Sequence, residues 1–393
     1  MSVLVINAGS SSIKYQLVNP DNSEVIVSGL AERIGEEMGH IDHTHDGETT
    51  SLDLPIADHK AGLQKILELF DEFGPHLGPE TVRAVGHRVV QGGRYFDKAA
   101  LIDDEVQKLI EDLIPLAPLH NPAHLSGIKV ARSLLPDIPH VAVFDTAFFQ
   151  GLPDEAATYA LDREVAEKYS IRRYGAHGTS HQYVSAKVAE FLGRDDLKQI
   201  VLHMGNGASA SAVVNGHAVE TSMGLTPLEG LVMGTRTGDI DPAVVFHLAR
   251  VGGMSIDEID TLFNRGSGLK GLTGSNDMRD VQDGYAAGDK DATVAMEVYV
   301  HRLLKYIGSY TAVMGGLDVL TFTAGVGENS SAVRALVGER LASLGVKIDE
   351  EKNEVRSREP RVISTDDSRV KVLVVPTNEE LAIARQAMDI IGA

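Results

Sequence analysis

Apolar and polar positions follow one another along the chain in blocks that read as strand, turn and helix. Residues 3–6 form a continuous apolar run, 7–12 are Asn, Ala, Gly and Ser, and Ile13, Tyr15 and Leu17 then alternate with polar neighbours. A β-branched run followed by period-two alternation predicts two paired strands with a polar tip. The same blocks return near mid-chain, where residues 200–215 again read as a largely apolar strand, a Gly/Asn/Ser turn and a second strand. Both copies continue alike, into 24–29 and into 218–224, and their offset is close to half the chain. A duplicated unit is expected, each copy opening with a hairpin.

The remaining blocks fill in an α/β chain. Leu63, Ile66, Leu67 and Phe70 have helical spacing and predict a helix over 61–73, and residues 82–87 predict a short strand. A helix is expected over 103–113. Residues 114–122, with Pro115, Pro118 and Pro122, are expected to be extended. Residues 141–144 read as a strand ending on Asp145, and a helix bearing Val184, Val188 and Leu192 is expected to be capped by Thr179 or Ser180 and to stop at Gly193. In the second half, Asp241 as cap and Pro242 at the first helical position predict a helix through Val245, Leu248 and Val251. Further helices are expected over 256–264, 291–314, 330–344 and 381–391, strands over 319–323 and 370–375, and Gly loops over 266–271 and 324–329. No long linker interrupts these blocks.

Chemistry concentrates where strands end. At the first hairpin tip, Gly9, the hydroxyls of Ser10, Ser11 and Ser12, and Lys14 suit an anion such as phosphate, although a Ser-rich turn alone has the same composition. The second copy favours the phosphate reading, since two hairpins facing across a cleft hold the phosphates of a nucleotide. Arg88 and Asp145 stand at ends of expected buried strands, where α/β sheets feed ligand crevices, and a structural ion pair is the alternative for Arg88. His177 lies just outside a helix start, a place that favours anions. Arg236 rides a Gly-flanked loop, and with Arg88 it would make a two-guanidinium clamp for a carboxylate or a migrating phosphoryl group.

Three other patterns lead elsewhere. His40, His43 and His45 sit among Asp and Thr and read as a solvated loop or edge hairpin rather than a metal site. His177 and His181 are four apart, but no Glu follows His177 as a zinc motif requires. Residues 266–271 match the dinucleotide fingerprint but follow a helical stretch instead of a strand, and no run fits the P-loop spacing.

Composition narrows the function further. A net charge of −20 opposes nucleic-acid or acidic-membrane partners, and aromatic residues make up only 5% with no Trp, which leaves little for base stacking. No apolar run approaches the roughly 18 residues of a membrane span, the first residues carry no signal-peptide pattern, and a cytoplasmic enzyme is expected. The absence of Cys excludes disulfides, thiolate catalysis and Cys-ligated metals.

Six segments in order give the chain a resemblance to the acetate kinases, within the superfamily of acetate and sugar kinases, Hsp70 and actin: 7–14, 86–90, 173–181, 203–209, 233–242 and 325–329. The resemblance implies two duplicated actin-like (ribonuclease H-like) domains, 1–147 plus 379–393 and 148–378, with mixed sheets flanked by helices and the active site in the cleft between them. It implies reversible phosphoryl transfer from ATP to acetate, giving acetyl phosphate and ADP, with Mg²⁺ (Mn²⁺ as a substitute) in a homodimer. On that likeness Arg88 and Arg236 bind the carboxylate and the migrating phosphoryl, His177 stabilises its equatorial oxygens, and Asp145 acts in catalysis and in organising the metal. Asn7 and Glu379 match the metal positions, and Val90, Leu119 and Pro227 match the methyl pocket. Lys14, His203, Met204, Gly205, Asn206, Gly207, Asp277, Met278, Arg279, Gly325, Val326, Gly327, Glu328 and Asn329 match the nucleotide positions, with Ser10 and Ser12 on the phosphate hairpin. One departure is Ala176, where the family usually carries Phe, and it predicts a relaxed acyl preference. A propionate or butyrate kinase is the nearest alternative, a sugar kinase a more distant one, and an ATP-driven clamp or filament of the Hsp70 or actin type comes from a different class.

Overall fold

A computed structural model describes residues 2–392. The chain divides into two compact units, Met1–Gln150 with Asn378–Ala393, and Gly151–Thr377. The first contains an eight-stranded sheet of β1 (Ser2–Ala8), β2 (Ser12–Asn19), β3 (Glu24–Glu32), β4 (Gly39–His45), β5 (Glu48–Leu54), β6 (Val82–Val89), β7 (Ala100–Leu101) and β8 (His140–Phe144). Its order is β5-β4-β3-β2-β1-β6-β8-β7. The second unit holds a six-stranded sheet of β9 (Lys198–Met204), β10 (Ala208–Val214), β11 (His217–Thr221), β12 (Val319–Thr323), β13 (Arg361–Val362) and β14 (Lys371–Val374), in the order β11-β10-β9-β12-β14-β13.

Duplication is visible in the topology. Each sheet contains a meander of three antiparallel strands whose first strand pairs in parallel with a fourth, which pairs in parallel with a fifth: β3-β2-β1-β6-β8 in one unit and β11-β10-β9-β12-β14 in the other. Both copies end on a short antiparallel edge strand, β7 or β13. The first unit adds the β4–β5 hairpin at its other edge, which accounts for the His-rich stretch: His40, His43 and His45 lie on β4. The His43 ring is buried against Tyr15 and Phe70, whereas His40 bonds Asp53 and Asp42.

Apolar alternation decides which face of each sheet is covered. Leu4, Ile6, Ile13, Tyr15 and Leu17 pack with Ile66 and Phe70 of the helix His59–Phe73, and further along the same face Phe96 stacks on Phe144 at 4.1 Å. In the second unit, Ile200, Leu202 and Phe322 pack with Tyr299, Leu303 and Ile307 of the helix Lys290–Val313. The helix Gly178–Leu192 covers the other face through Val184 and Val188 against Val201 and Leu373. The helix Glu379–Ile391, capped by Asn378, returns to the first unit and packs on β1, β6 and β8. Ile383 lies so close to Gly86 of β6 that a Cβ there would come within 2.7 Å of it.

Several expected elements take a different form. Residues 114–122 are not extended: Pro115 sits in the 3₁₀ turn Ile114–Leu116 and Pro122 in the first turn of a helix, Asn121–Leu134. A proline's fixed φ suits a first helical turn, where its missing N–H costs nothing. Thr179 and Ser180 do not cap the helix that begins at Gly178. The N-cap is His177, in the left-handed region at φ 58°, and Thr179 and Ser180 are buried in the first turn. The Gly loop 324–329 is a short helix, Ala324–Asn329, entered through Ala324 at φ 63°. Gly268–Thr273 is likewise helical, beyond the Gly266 that ends Ile256–Arg265. The helix placed over 330–344 is Ser331–Arg340 followed by a 3₁₀ turn, with Ser330 as its cap. The helix beyond Pro242 starts at Ala243, whose N–H bonds the Asp241 carboxylate at 2.9 Å.

Candidate functional site

In the first unit the parallel strands β1, β6 and β8 finish along one edge, and their last residues carry the polar groups. Arg88 pairs in register with Val143, so its side chain reaches Asp145 just beyond the end of β8. The contact is two-pronged: Nε lies 3.1 Å and Nη2 2.7 Å from Oδ2 of Asp145, and Glu379 in the first turn of the last helix stands 3.9 Å from Nε. Burial alone would lower the Arg88 pKa, but the charges of Asp145 and Glu379 hold it above its ordinary value. Asp145 is itself fully buried, and its backbone N–H is fixed to the Val89 carbonyl.

The loop after Arg88 is held just as firmly. Asn121 bonds both the N–H and the carbonyl of Gln91 at 3.1 Å, and the Thr146 hydroxyl accepts from the Gly92 N–H. Nδ1 of His124 accepts from the Val90 N–H at 3.3 Å. Burial, with Arg88 adding to it, pushes His124 down to about 3, so the ring is a neutral acceptor. Val90 is buried, while Leu119, in the turn before Asn121, is 41% exposed.

Asn7 lies near the end of β1, opposite Lys14 of β2. Lys14 is turned to an ion pair with Glu380 of the last helix. At the tip, the Gly9 N–H bonds the Ser12 carbonyl at 2.7 Å, and the His59 ring bonds the Gly9 carbonyl. Gly9 is needed for space, since a Cβ there would stand 2.8 Å from the Ser12 hydroxyl. Ser10 is exposed and Ser12 half-buried.

The equivalent tip of the second unit, Gly205 to Gly207, is closed by a Gly205 N–H bond to the Gly207 carbonyl. Two cation-capable groups meet above Gly207: a Cβ built there would lie 3.4 Å from Nε2 of His177 and 3.5 Å from Nη1 of Arg236. The Arg236 Nη1 also donates to the Pro227 carbonyl at 3.2 Å. The loop bearing Pro227 and Arg236 is fastened by Arg173, which donates to the carbonyls of Thr221, Ser222 and Met223 and pairs with Glu229, and by Tyr159, bonded to the same Glu229. Beneath the tip, His177 stacks on His203 with ring centres 4.3 Å apart. Nδ1 of His203 meets the Ser180 hydroxyl at 2.8 Å.

Beside that tip lies a cavity of about 830 Å³. Of the residues singled out in the sequence, Gly205, Asn206, Asp277, Met278, Arg279, Gly325, Val326 and Asn329 line it. Apolar Leu269, Met278, Tyr299 and Val326 provide walls for a flat ring, and Asn206, Asn276, Gln282 and Ser330 provide polar edges. Arg279 is gripped by Asp277, the cap of its own helix, whose carboxyl its hydrogen bonds hold down to about 2. His203, Met204, Gly207, Gly327 and Glu328 are not on this lining. The Glu328 carboxylate instead accepts from the N–H groups of Ala324 and Thr377 at 2.8 and 3.1 Å, bracing the strained entry to the short helix.

Sequence reasoning did not find Asn276, Gln282, Tyr299 or Arg356 on the cavity lining. Asn276 directly precedes the Asp277 segment, which is a signal; Tyr299 is one of many apolar positions on a long helix, and nothing local marks it. Ser211 was missed as well, although the Ser-Ala-Ser alternation at 209–211 puts two hydroxyls on one face of a strand.

A five-strand core of this order built twice, each copy opening with a Gly-containing hairpin tip, defines duplicated actin-like domains. The chain belongs to the acetokinase family, which it matches over residues 2–385. It is 57% identical to an acetate kinase of Corynebacterium efficiens over 97% of both chains, and 55% identical to one of Streptomyces avermitilis over 99% of this chain and 97% of that one. Among solved structures, it resembles Porphyromonas gingivalis acetate kinase with a TM-score of 0.93 at 43% identity, covering 99% of each chain. It also resembles a propionate kinase from Francisella tularensis with a TM-score of 0.94, at the same identity and coverage.

Proposed function

We propose that the chain catalyses reversible phosphoryl transfer from ATP to acetate, giving acetyl phosphate and ADP. The observation that carries this reading is the convergence of His177 and Arg236 above the Gly207 tip, next to a cavity of nucleotide size, in a chain of this family. A carboxylic acid with a pKa near 4 to 5 is already ionised at neutral pH, so its attacking oxygen needs no general base. The barrier is repulsion between two anions, followed by the charge spread over three equatorial oxygens in the transition state. Fixed guanidinium and N–H donors lower such a barrier without reorganising.

The family likeness and these placements together support the following roles. The cavity takes the adenosine and the Gly205–Gly207 tip the phosphates. Arg236 and the Nε2 edge of His177 stabilise the migrating group, whose bond to the ADP oxygen breaks as one to the acetate oxygen forms. Arg88, anchored by Asp145, binds the acetate carboxylate, with Val90, Leu119 and Pro227 against the methyl group. Asp145, Glu379 and Asn7 are hard oxygen donors that fit Mg²⁺, or Mn²⁺, in a form that keeps several waters and takes one or two carboxylates. Asp145, Glu379 and Asn7 would hold the ion, which would supply charge neutralisation for the phosphates. We place the enzyme in the cytoplasm, where its ATP is, and read it as a homodimer because the helix Ala243–Arg250 buries none of its residues.

Acyl preference is the finer question. Ala176 is buried in the core of the second unit among residues such as Met204, Met233 and Leu269. A smaller side chain there leaves His177 less crowded, which supports tolerance of propionate beside acetate. One methylene in an apolar pocket is worth only about 1 to 3 kcal/mol. The reaction is tested in reverse: acetyl phosphate and ADP with Mg²⁺ are expected to yield ATP, read by a luciferase signal. A purified, folded protein that gives no ATP from acetyl, propionyl or butyryl phosphate would refute the reading.

A further inference from the structure

Beneath His177 a line of alternating hydroxyls and imidazoles runs into the second unit. His177 and His181 lie one helical turn apart, and Ser209 and Ser211 occupy alternate positions of β10 facing them. Nδ1 of His177 is 2.9 Å from the Ser209 hydroxyl, which is 2.7 Å from Nε2 of His181; Nδ1 of His181 is in turn 2.7 Å from the Ser211 hydroxyl. His181, Ser209 and Ser211 are all completely buried. We propose that Ser211, His181 and Ser209 form a one-way hydrogen-bond relay that fixes His177 as the tautomer protonated on Nε2, which makes Ser209 and His181 positioning residues for phosphoryl transfer. The proposal rests on the catalytic role assigned to His177 above.

The direction of the relay follows from counting protons. A serine hydroxyl has one proton and two lone pairs; if both imidazoles donated to the buried Ser209 its own proton would be unmet, so one ring donates and the other accepts. Burial and the neighbouring His203 push the pKa of His181 well below its ordinary value, so the ring is neutral and carries a single N–H. Two arrangements keep the Ser209 proton bonded. In one, Ser211 donates to Nδ1 of His181, Nε2–H of His181 donates to Ser209, and Ser209 donates to Nδ1 of His177. In the other, every bond is reversed, Ser211 becomes an acceptor, and its own proton has nowhere to go. The Ser211 hydroxyl has His181 as its hydrogen-bond partner and no water can reach it. Reversal therefore leaves a buried donor unmet, the costlier state.

The favoured direction leaves Nε2 of His177 carrying the proton, and Nε2 is the edge turned to the Gly207 tip. A neutral ring with Nε2–H outward is a hydrogen-bond donor to a phosphoryl oxygen; the other tautomer would present a lone pair to an anion. The left-handed backbone at His177 is consistent with this demand, since strain of that kind is kept where a side chain must be aimed. His203, stacked on the His177 ring, is bonded through Nδ1 to Ser180.

The test is the protonation pattern of the His177 ring in the full-length protein labelled with ¹⁵N-histidine, assigned by the signal lost in His177→Gln. The wild type at neutral pH is expected to show Nε2 protonated and Nδ1 bare. Ser209→Ala is expected to mix the two tautomers and to lower kcat by about tenfold, less than the roughly hundredfold or more lost when a catalytic donor is itself removed, with KM for ATP and acetate little changed. Ser209→Thr, which keeps the hydroxyl, restores both, and Ser211→Ala mixes the tautomers while leaving Ser209 in place. Thermal melts monitor folding of each variant. A wild-type ring protonated on Nδ1, whether neutral or charged, overturns the proposal, as does a Ser209→Ala protein with unaltered tautomer and kcat. If His177→Gln keeps full activity while the tautomer is as stated, it is the catalytic reading of His177 that fails and the relay that survives.

Discussion

Arg88 and Arg236 differ in what holds them, and the difference decides how their removal will read. Arg88 is locked to a fully buried Asp145, so Arg88→Ala strands a carboxylate and is expected to cost about 3–5 kcal/mol of stability as well as activity. Arg236 is steadied through a backbone carbonyl and the Met233 sulfur, so Arg236→Ala is the cleaner probe. It is expected to lower kcat by on the order of a hundredfold or more with the melting temperature little changed, the usual loss when a fixed donor to developing charge is removed. Turnover with a parallel thermal melt checks this, and near-normal kcat would remove Arg236 from the chemistry. At this scale much was readable in the sequence: Arg88 and Asp145 stand at strand ends and Arg236 in a glycine-flanked loop. Their mutual pairing was not, because register between β6 and β8 decides it. The same holds for Lys14, whose position beside a phosphate tip predicted an anion contact, and whose actual partner lies 366 residues further on, at Glu380.

Among the elements, β6 and β8 of the first unit carry a second consequence of burial. His87 and His140 stack with ring nitrogens 2.9 Å apart, and the other His140 nitrogen bonds the Leu135 carbonyl. Burial lowers the pKa of His87, His140 and His124, so all three are neutral when folded. The unfolded chain takes up protons below its ordinary histidine pKa of about 6.5, so stability is fully present above that pH and declines as pH falls towards the depressed folded values. Each histidine can contribute up to about 1.4 kcal/mol per pH unit. The urea midpoint is expected to be lower at pH 5.5 than at 7.5, and less so in His140→Gln; an unchanged or higher midpoint at pH 5.5 would contradict it. Helices and strands with strong periodicity were legible, as for the long helix Lys290–Val313. Segments whose shape depends on glycine and proline were not. Pro122 is compatible with both an extended path and a first helical turn, and the Gly-rich stretch Ala324–Asn329 is a helix whose first N–H is met by the Glu328 carboxylate from within.

For the whole molecule, the helix Ala243–Arg250 and its flanks leave an apolar face uncovered: Phe246 is 55%, Val251 74% and Ile256 65% exposed. Exposed apolar side chains of this kind support the homodimer proposed above. A double variant, Phe246→Glu with Val251→Glu, is expected to halve the mass seen by light scattering after size exclusion, while a wild-type monomer would refute the dimer. The duplicated topology was legible in the repeat of two hairpin patterns, whereas the exposure of this helix was hidden because a sequence shows that a helix is apolar and not which of its side chains stay exposed. The central claim is that ATP surrenders its terminal phosphoryl to a carboxylate, and acid dependence tests it most directly. ADP formation is measured with and without acetate, with hydroxylamine trapping any acyl phosphate as a coloured hydroxamate. The prediction is negligible ADP without acid and, with acetate, hydroxamate matching ADP mole for mole; ADP released at the same rate without acid, and no hydroxamate with it, would contradict the account.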